Sequence, residues 1–189
     1  MSLTTFSFFA FLAVTTILFY VIKPLQKYIL LAASMAFYIL ISPGSRIRLC
    51  ILILCVGLIT YIGALASDKA KGKLKTLAAF ISVASLIALQ FMFKLAFNVA
   101  GTVASLFNIQ SDISWLQFGA VVGMSYYTLT AIGYIVDVTW GSTKADRNIA
   151  DVFLFIFFFP QLISGPITRS YQMIPQFNAK KSFDMDRFT

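Results

Sequence analysis

Covalent or acid–base chemistry needs particular side chains, and this 189-residue chain is poor in them. It contains no histidine, the residue whose ordinary pKa suits it to accept a proton near neutrality. Cys50 and Cys55 share one apolar run. Helical geometry would set them roughly 140° apart, so they can neither pair nor share a metal, and they are expected to be buried small hydrophobes. Asp112 and Asp137 flank an apolar run, a position that suits capping or structural work better than proton abstraction. The sequence has no zinc-ligand cluster, phosphate loop or Ser-His-Asp set. No catalytic residue and no metal site are therefore assigned within residues 1–189.

Two polar features remain. Gly123, Tyr127, Thr130, Tyr134 and Asp137 are spaced 4, 3, 4 and 3 apart, which places them on one face of a helix, with Gly119 one turn earlier. Tyrosine hydroxyls and a carboxylate are costly against lipid, so this face should point into protein or a wet cavity; helix–helix packing uses the same pattern. The second feature is the apolar run 157–169, Phe-Phe-Phe-Pro-Gln-Leu-Ile-Ser-Gly-Pro-Ile-Thr-Arg. Pro160 removes a backbone donor, and Gly165-Pro166 turns the chain away from helical dihedrals. Broken backbone at membrane depth is tolerated where protein or water surrounds it, so the break marks either a working region or a simple proline kink.

The elements that must position these residues follow from composition. Hydrophobic residues make up 59% of the chain and charged residues 12%, about half the charged share of a soluble domain, so the chain cannot clothe a water-facing surface. The fold class is all-α, a polytopic integral membrane protein with about six apolar helices and a kinked or re-entrant segment. The net charge of +8 comes from ten Lys and five Arg against seven Asp. The cations cluster in short loops, where they set topology and meet anionic headgroups, so nucleic acid is not a partner and membrane lipid is.

The uncharged runs are residues 2–22, 28–45, 49–67, 76–93, 113–136 and 152–168, with a shorter helix at 95–107 after Lys94. Gly57, Gly63 and Ser67 supply the small residues that let membrane helices approach closely. Trp115 and Trp140 are placed as interfacial anchors of the fifth span. Counting Lys and Arg by loop parity puts eight on the side of Lys23 and Lys27 and three on the other. This predicts a multi-pass protein of the plasma (inner) membrane with its N-terminus extracytoplasmic. Residues 169–189 form a polar basic tail to a single transmembrane domain spanning 1–189. Six full spans would leave that tail, with Arg169, Lys180, Lys181 and Arg187, on the wrong side; a re-entrant 152–168 removes the conflict.

Residues 158–169, Phe-Phe-Pro-x-Leu-x-x-Gly-Pro-Ile-x-Arg, followed by Ile174-Pro175-Gln176-Phe177, resemble the signature region of the membrane-bound O-acyltransferase family. The likeness is closest to its bacterial envelope branch, which acylates alginate, other wall polysaccharides and teichoic acids. Residues 123–137, ending in Trp140-Gly141, resemble an earlier block of that family. They depart from it where Thr130 replaces a Gln and Thr139-Trp140 replaces Tyr-Arg. Residues 91–98 around Lys94 resemble a third segment; a lysine reaching for headgroups is the alternative reading of Lys94.

The resemblance implies acyl transfer, with acetyl the expected group, across the membrane to a hydroxyl of a cell-envelope polysaccharide. It implies acyl-CoA or an acyl carrier protein as donor and no bound cofactor. Its catalytic histidine would lie beyond residue 189, so the chain is expected to be an N-terminal portion, inactive alone. Gly123, Ser125, Tyr127, Thr130, Tyr134, Asp137, Pro160, Gly165, Pro166 and Arg169 are the implied tunnel-lining or motif residues. A small non-catalytic protein, transporter-like or a scaffold subunit, is the alternative.

Overall fold

The computed structural model describes residues 6–41, 46–106, 123–161, 165, 168–179 and 181, with side chains omitted at 47–48 and 94–106. Among the described residues there are seven α-helices: α1 (Phe6–Val21), α2 (Gln26–Ile41), α3 (Arg46–Lys69), α4 (Lys73–Leu106), α5 (Met124–Trp140), α6 (Ile149–Phe157) and α7 (Ser170–Asn178). Single 3₁₀ turns precede α2 (Lys23–Leu25) and follow α6 (Phe159–Gln161). Three segments are long and apolar enough to cross a membrane, Lys23–Ile41, Leu49–Lys69 and Lys73–Phe93, and Phe6–Val21 and Ile149–Gln161 are shorter apolar helices. The protein is an all-helical membrane protein.

Several of its helical hydroxyl residues behave as membrane helices require. Thr15, Ser34, Thr60, Ser82, Thr128 and Thr139 each donate to the carbonyl four residues earlier, at 2.7–2.8 Å. Each hydroxyl proton is thereby satisfied by its own helix and can face lipid or a neighbouring helix without a desolvation cost.

The contacts divide the chain into two compact units, Met1–Ile41 with Asp146–Thr189, and Ser42–Ala145. In the second unit α3, α4 and α5 pack against one another. Gly63 makes the α3–α4 crossing possible, because a Cβ there would come within 2.5 Å of Ser82 Cβ. The small-residue role expected of Gly63 is thus what the packing uses. In the first unit α2 is central and touches α1, α6, α7 and the turn after α6.

Several sequence expectations need correction. α4 is one continuous helix of 34 residues, where a span at 76–93 and a separate helix at 95–107 were expected. A lysine is a good helix former and its charge breaks no backbone hydrogen bond, so Lys94 interrupts the apolar run without interrupting the helix. Cys50 is exposed and Cys55 half-buried, so neither is the buried residue expected; an apolar helix surface facing lipid needs no burial to be stable there. α5 continues past residue 136 to Trp140, ending at Gly141 with φ 80°, and Asp137 lies inside its last turn. The start of the predicted span 113–136, with Asp112, Trp115 and Gly119, lies outside the described residues, as do Pro43, Pro166 and Lys180. The tail predicted at 169–189 contains a helix, α7, which packs back onto α2 and α6.

Candidate functional site

The broken segment is built as the prolines require, and several of its freed backbone N–H groups find a neighbour. Asn148 caps α6, its Oδ1 accepting from Ala150 N at 3.0 Å. Nine residues later the helix stops, and Phe158 leaves in an extended conformation (φ −62°, ψ 109°). The Phe159 N–H, which the helix no longer uses, donates to Ser34 Oγ of α2 at 3.3 Å. Pro160 sits exposed in the 3₁₀ turn, where its missing donor costs nothing. Gly165 N donates to Gln161 O at 3.1 Å, and a Cβ at Gly165 would lie 2.7 Å from Gln161 Cα. Only glycine closes that turn. Thr168 Oγ1 then donates to Gln161 Oε1 at 3.0 Å.

Aromatic packing fixes the same break. Phe159 meets Phe11 of α1 (5.4 Å between ring centres) and Phe37 of α2 (5.5 Å), while Phe157 stands edge-on to Tyr38 at 5.7 Å. Phe158 packs on Phe177 of α7 at 5.3 Å. Edge-to-face pairs at such distances add stabilisation beyond the area they bury.

A polar network closes the other end of this unit. Lys27 Nζ lies 2.9 Å from Asp151 Oδ1 and 3.2 Å from Asp151 Oδ2, and it donates to Asn178 Oδ1 at 3.0 Å. Asn178 Nδ2 donates to Asp151 Oδ2 at 3.1 Å. The Asp151 side chain is 3% exposed and that of Lys27 15%, so this is a nearly dry ion pair. One residue earlier, Gln26 grips the backbone of Lys181 from both sides, donating to its carbonyl at 2.7 Å and accepting from its N–H at 3.0 Å.

The consequence is topological. Asp151 is in the first turn of α6 and Asn178 is the last residue of α7, and both meet Lys27. The chain therefore sets out along α6, breaks, and returns to its starting end. Nine residues of α6 rise about 14 Å, less than half of a hydrocarbon core. The segment turns back on itself and brings Lys181 to the same end of α2 as Lys27, the geometry that a re-entrant segment requires.

Of the motif residues, Pro160, Gly165 and Arg169 belong to this first unit, and Arg169 is exposed. Gly123, Ser125, Tyr127, Thr130, Tyr134 and Asp137 belong to the second. Tyr127, Thr130, Tyr134 and Asp137 are all buried, as the cost of turning them to lipid required. Thr130 Oγ1 donates to Tyr126 O at 3.0 Å, so its proton is committed to its own helix. Ser125 is exposed and accepts from Gln90 Nε2 of α4 at 3.3 Å, joining α4 to α5. Pro166 is outside the described residues. Sequence reasoning missed Gln26, Lys27, Ser34, Asp151 and Asn178. The one available signal was an Asp in the first turn of an otherwise apolar run; its partners are 124 and 27 residues away, and no local pattern shows that.

Among curated proteins, a probable alginate O-acetylase of Pseudomonas putida is 40% identical over 68 residues, 36% of this chain. Those of Azotobacter vinelandii and Pseudomonas aeruginosa are each 40% identical over 67 residues, 35% of the chain. Over these residues the chain is similar to probable alginate O-acetylases. That similarity accords with the resemblance of its motif blocks to the membrane-bound O-acyltransferases. The matched stretch amounts to 14% of the Pseudomonas putida acetylase and 13% of the Azotobacter vinelandii one, so the chain spans only a small part of these relatives. No family model and no solved structure matches it.

Proposed function

We propose that this chain forms part of the membrane body of an O-acyltransferase that passes an acyl group, acetyl in the first instance, to a hydroxyl of an envelope polysaccharide. The observation that carries the reading is the 40% identity to probable alginate O-acetylases over 68 residues. The re-entrant segment supports it, because broken backbone within a membrane persists where it serves a protein-lined path. In this reading Lys27, Asp151 and Asn178 hold the two ends of the segment together, and Ser34 with the phenylalanine cluster sets where it breaks. Gly123, Tyr127, Tyr134 and Asp137 line the inner face of α5. The donor is acyl-CoA or an acylated carrier protein, reached from the lysine-rich side, and the protein lies in the plasma membrane with its N-terminus outside.

These 189 residues hold no histidine, so the proton acceptor for the acceptor hydroxyl comes from residues outside them. The test is a chimaera in which the matching 68-residue stretch of this chain replaces that of the Pseudomonas putida acetylase. Acetylated alginate from the chimaera, expressed at the level of the parent, is the expected result. A well-expressed chimaera that makes none overturns the reading. The 189-residue chain alone is expected to transfer no acetyl group; turnover by a purified preparation would show that the base lies within it.

A further inference from the structure

An open pocket of about 230 Å³ lies between the start of α2 and the end of α7, lined among others by Lys23, Gln26, Lys27, Tyr28, Phe177 and Asn178. Phe177, from the end of the signature stretch, is on its wall, while the implied tunnel-lining residues Gly123 to Asp137 are not. Its volume falls below the roughly 300–1,000 Å³ of sites that enclose a whole organic ligand, so it suits a small polar group. Most of its polar atoms are already committed. The Gln26 amide is spent on Phe19 O and the backbone of Lys181, and the Asn178 amide on Lys27, Asp151 and Ile174 O. Lys27 gives its charge to Asp151. Lys23 is exposed and forms no ion pair among the described residues.

Among the described residues that line the pocket there are two ammonium groups, and only that of Lys27 has a carboxylate beside it. Around the pocket the surface is apolar: Val21 is 71% exposed, Leu25 48% and Tyr28 51%. These residues sit where the uncharged helix α1 ends and α2 begins, the level at which a membrane helix passes from hydrocarbon to headgroups. We propose that this pocket binds the phosphodiester of an anionic phospholipid. Lys23 supplies the ion pair, and the exposed faces of Val21, Leu25 and Tyr28 lie against the acyl chains. A singly charged phosphodiester matches the Lys23 ammonium, which has no ion pair among the described residues, and basic pockets between membrane helices recognise headgroups in this way. The apolar surround favours a lipid over a soluble phosphate, which would leave those side chains in water. The inference does not depend on the acyltransferase reading.

The full chain, purified in a neutral detergent, is offered equal amounts of phosphatidylglycerol and phosphatidylcholine, and bound lipid is counted by native mass spectrometry. Phosphatidylglycerol is expected to be retained in preference. Lys23→Glu should lower its retention about fivefold or more, and Lys23→Arg should keep it, one lysine near a headgroup being worth about that factor. Far-UV circular dichroism verifies that Lys23→Glu is folded, and Lys23→Gln replaces it if it is not. Equal retention of the two lipids, or an unchanged count in the folded charge variant, overturns the proposal. Displacement of the lipid by an equal concentration of inorganic phosphate also overturns it, because the site would then belong to a soluble anion.

Discussion

Replacing Asp151 with alanine tests the ion pair on which the re-entrant geometry closes. At 2.9 Å from Lys27 the Coulomb attraction is about 6 kcal/mol at an effective dielectric constant near 20. Drying both groups costs several kcal/mol each, so the pair gives little net stability relative to apolar residues of the same size. Removing one partner is different. It leaves the Lys27 ammonium, whose side chain is 15% exposed, with only the neutral Asn178 amide and the Tyr28 ring beside it among the described residues, at an expected cost of about 3 kcal/mol. The Lys27→Met, Asp151→Leu double variant, with no charge left to strand, should lose no more than about 2 kcal/mol.

The two sites should therefore couple by at least about 2 kcal/mol in a double-mutant cycle. The measurement is reversible unfolding of the purified chain in mixed micelles against sodium dodecyl sulfate, followed by circular dichroism. Additivity within about 0.5 kcal/mol, or a loss below about 1 kcal/mol for Asp151→Ala, would refute the claim that this pair ties α6 and α7 to α2.

Gly63→Ala should destabilise the second unit by about 1–3 kcal/mol in the same assay, because its Cβ would overlap Ser82, and Ser82→Gly should restore most of the loss. No recovery in that double variant would show that the cost arises elsewhere. For topology, single cysteines at Ala179 and at Lys23, in a background with Cys50 and Cys55 replaced, should react with an impermeant thiol reagent from the same side of sealed vesicles. Labelling from opposite sides would mean that the segment crosses the membrane instead of turning back.

Much of this architecture was legible in the chain because membrane insertion is a composition problem. Residues 2–22, 28–45 and 49–67 read as apolar runs, and α1, α2 and α3 fall on them, since lipid demands only length and apolarity. The stop near Pro160 was equally plain, proline being unable to donate. The division of 76–107 into two helices failed because a charge was taken as a helix boundary, and charge says nothing about backbone hydrogen bonding. The exposure of Cys50 was misread because in a membrane an apolar side chain has no reason to prefer the interior.

Sequence by itself determined the solvent of this protein, its helical class, the face of α5 that avoids lipid and the point at which the chain must break. Each is set by the chemistry of a few neighbouring residues against hydrocarbon. Where the broken segment goes was decided by the tertiary structure alone. Lys27, Asp151 and Asn178, dispersed along the sequence, had to be drawn to one end of α2 before their charges and amides could satisfy one another. A buried charge is tolerable only with its partner beside it.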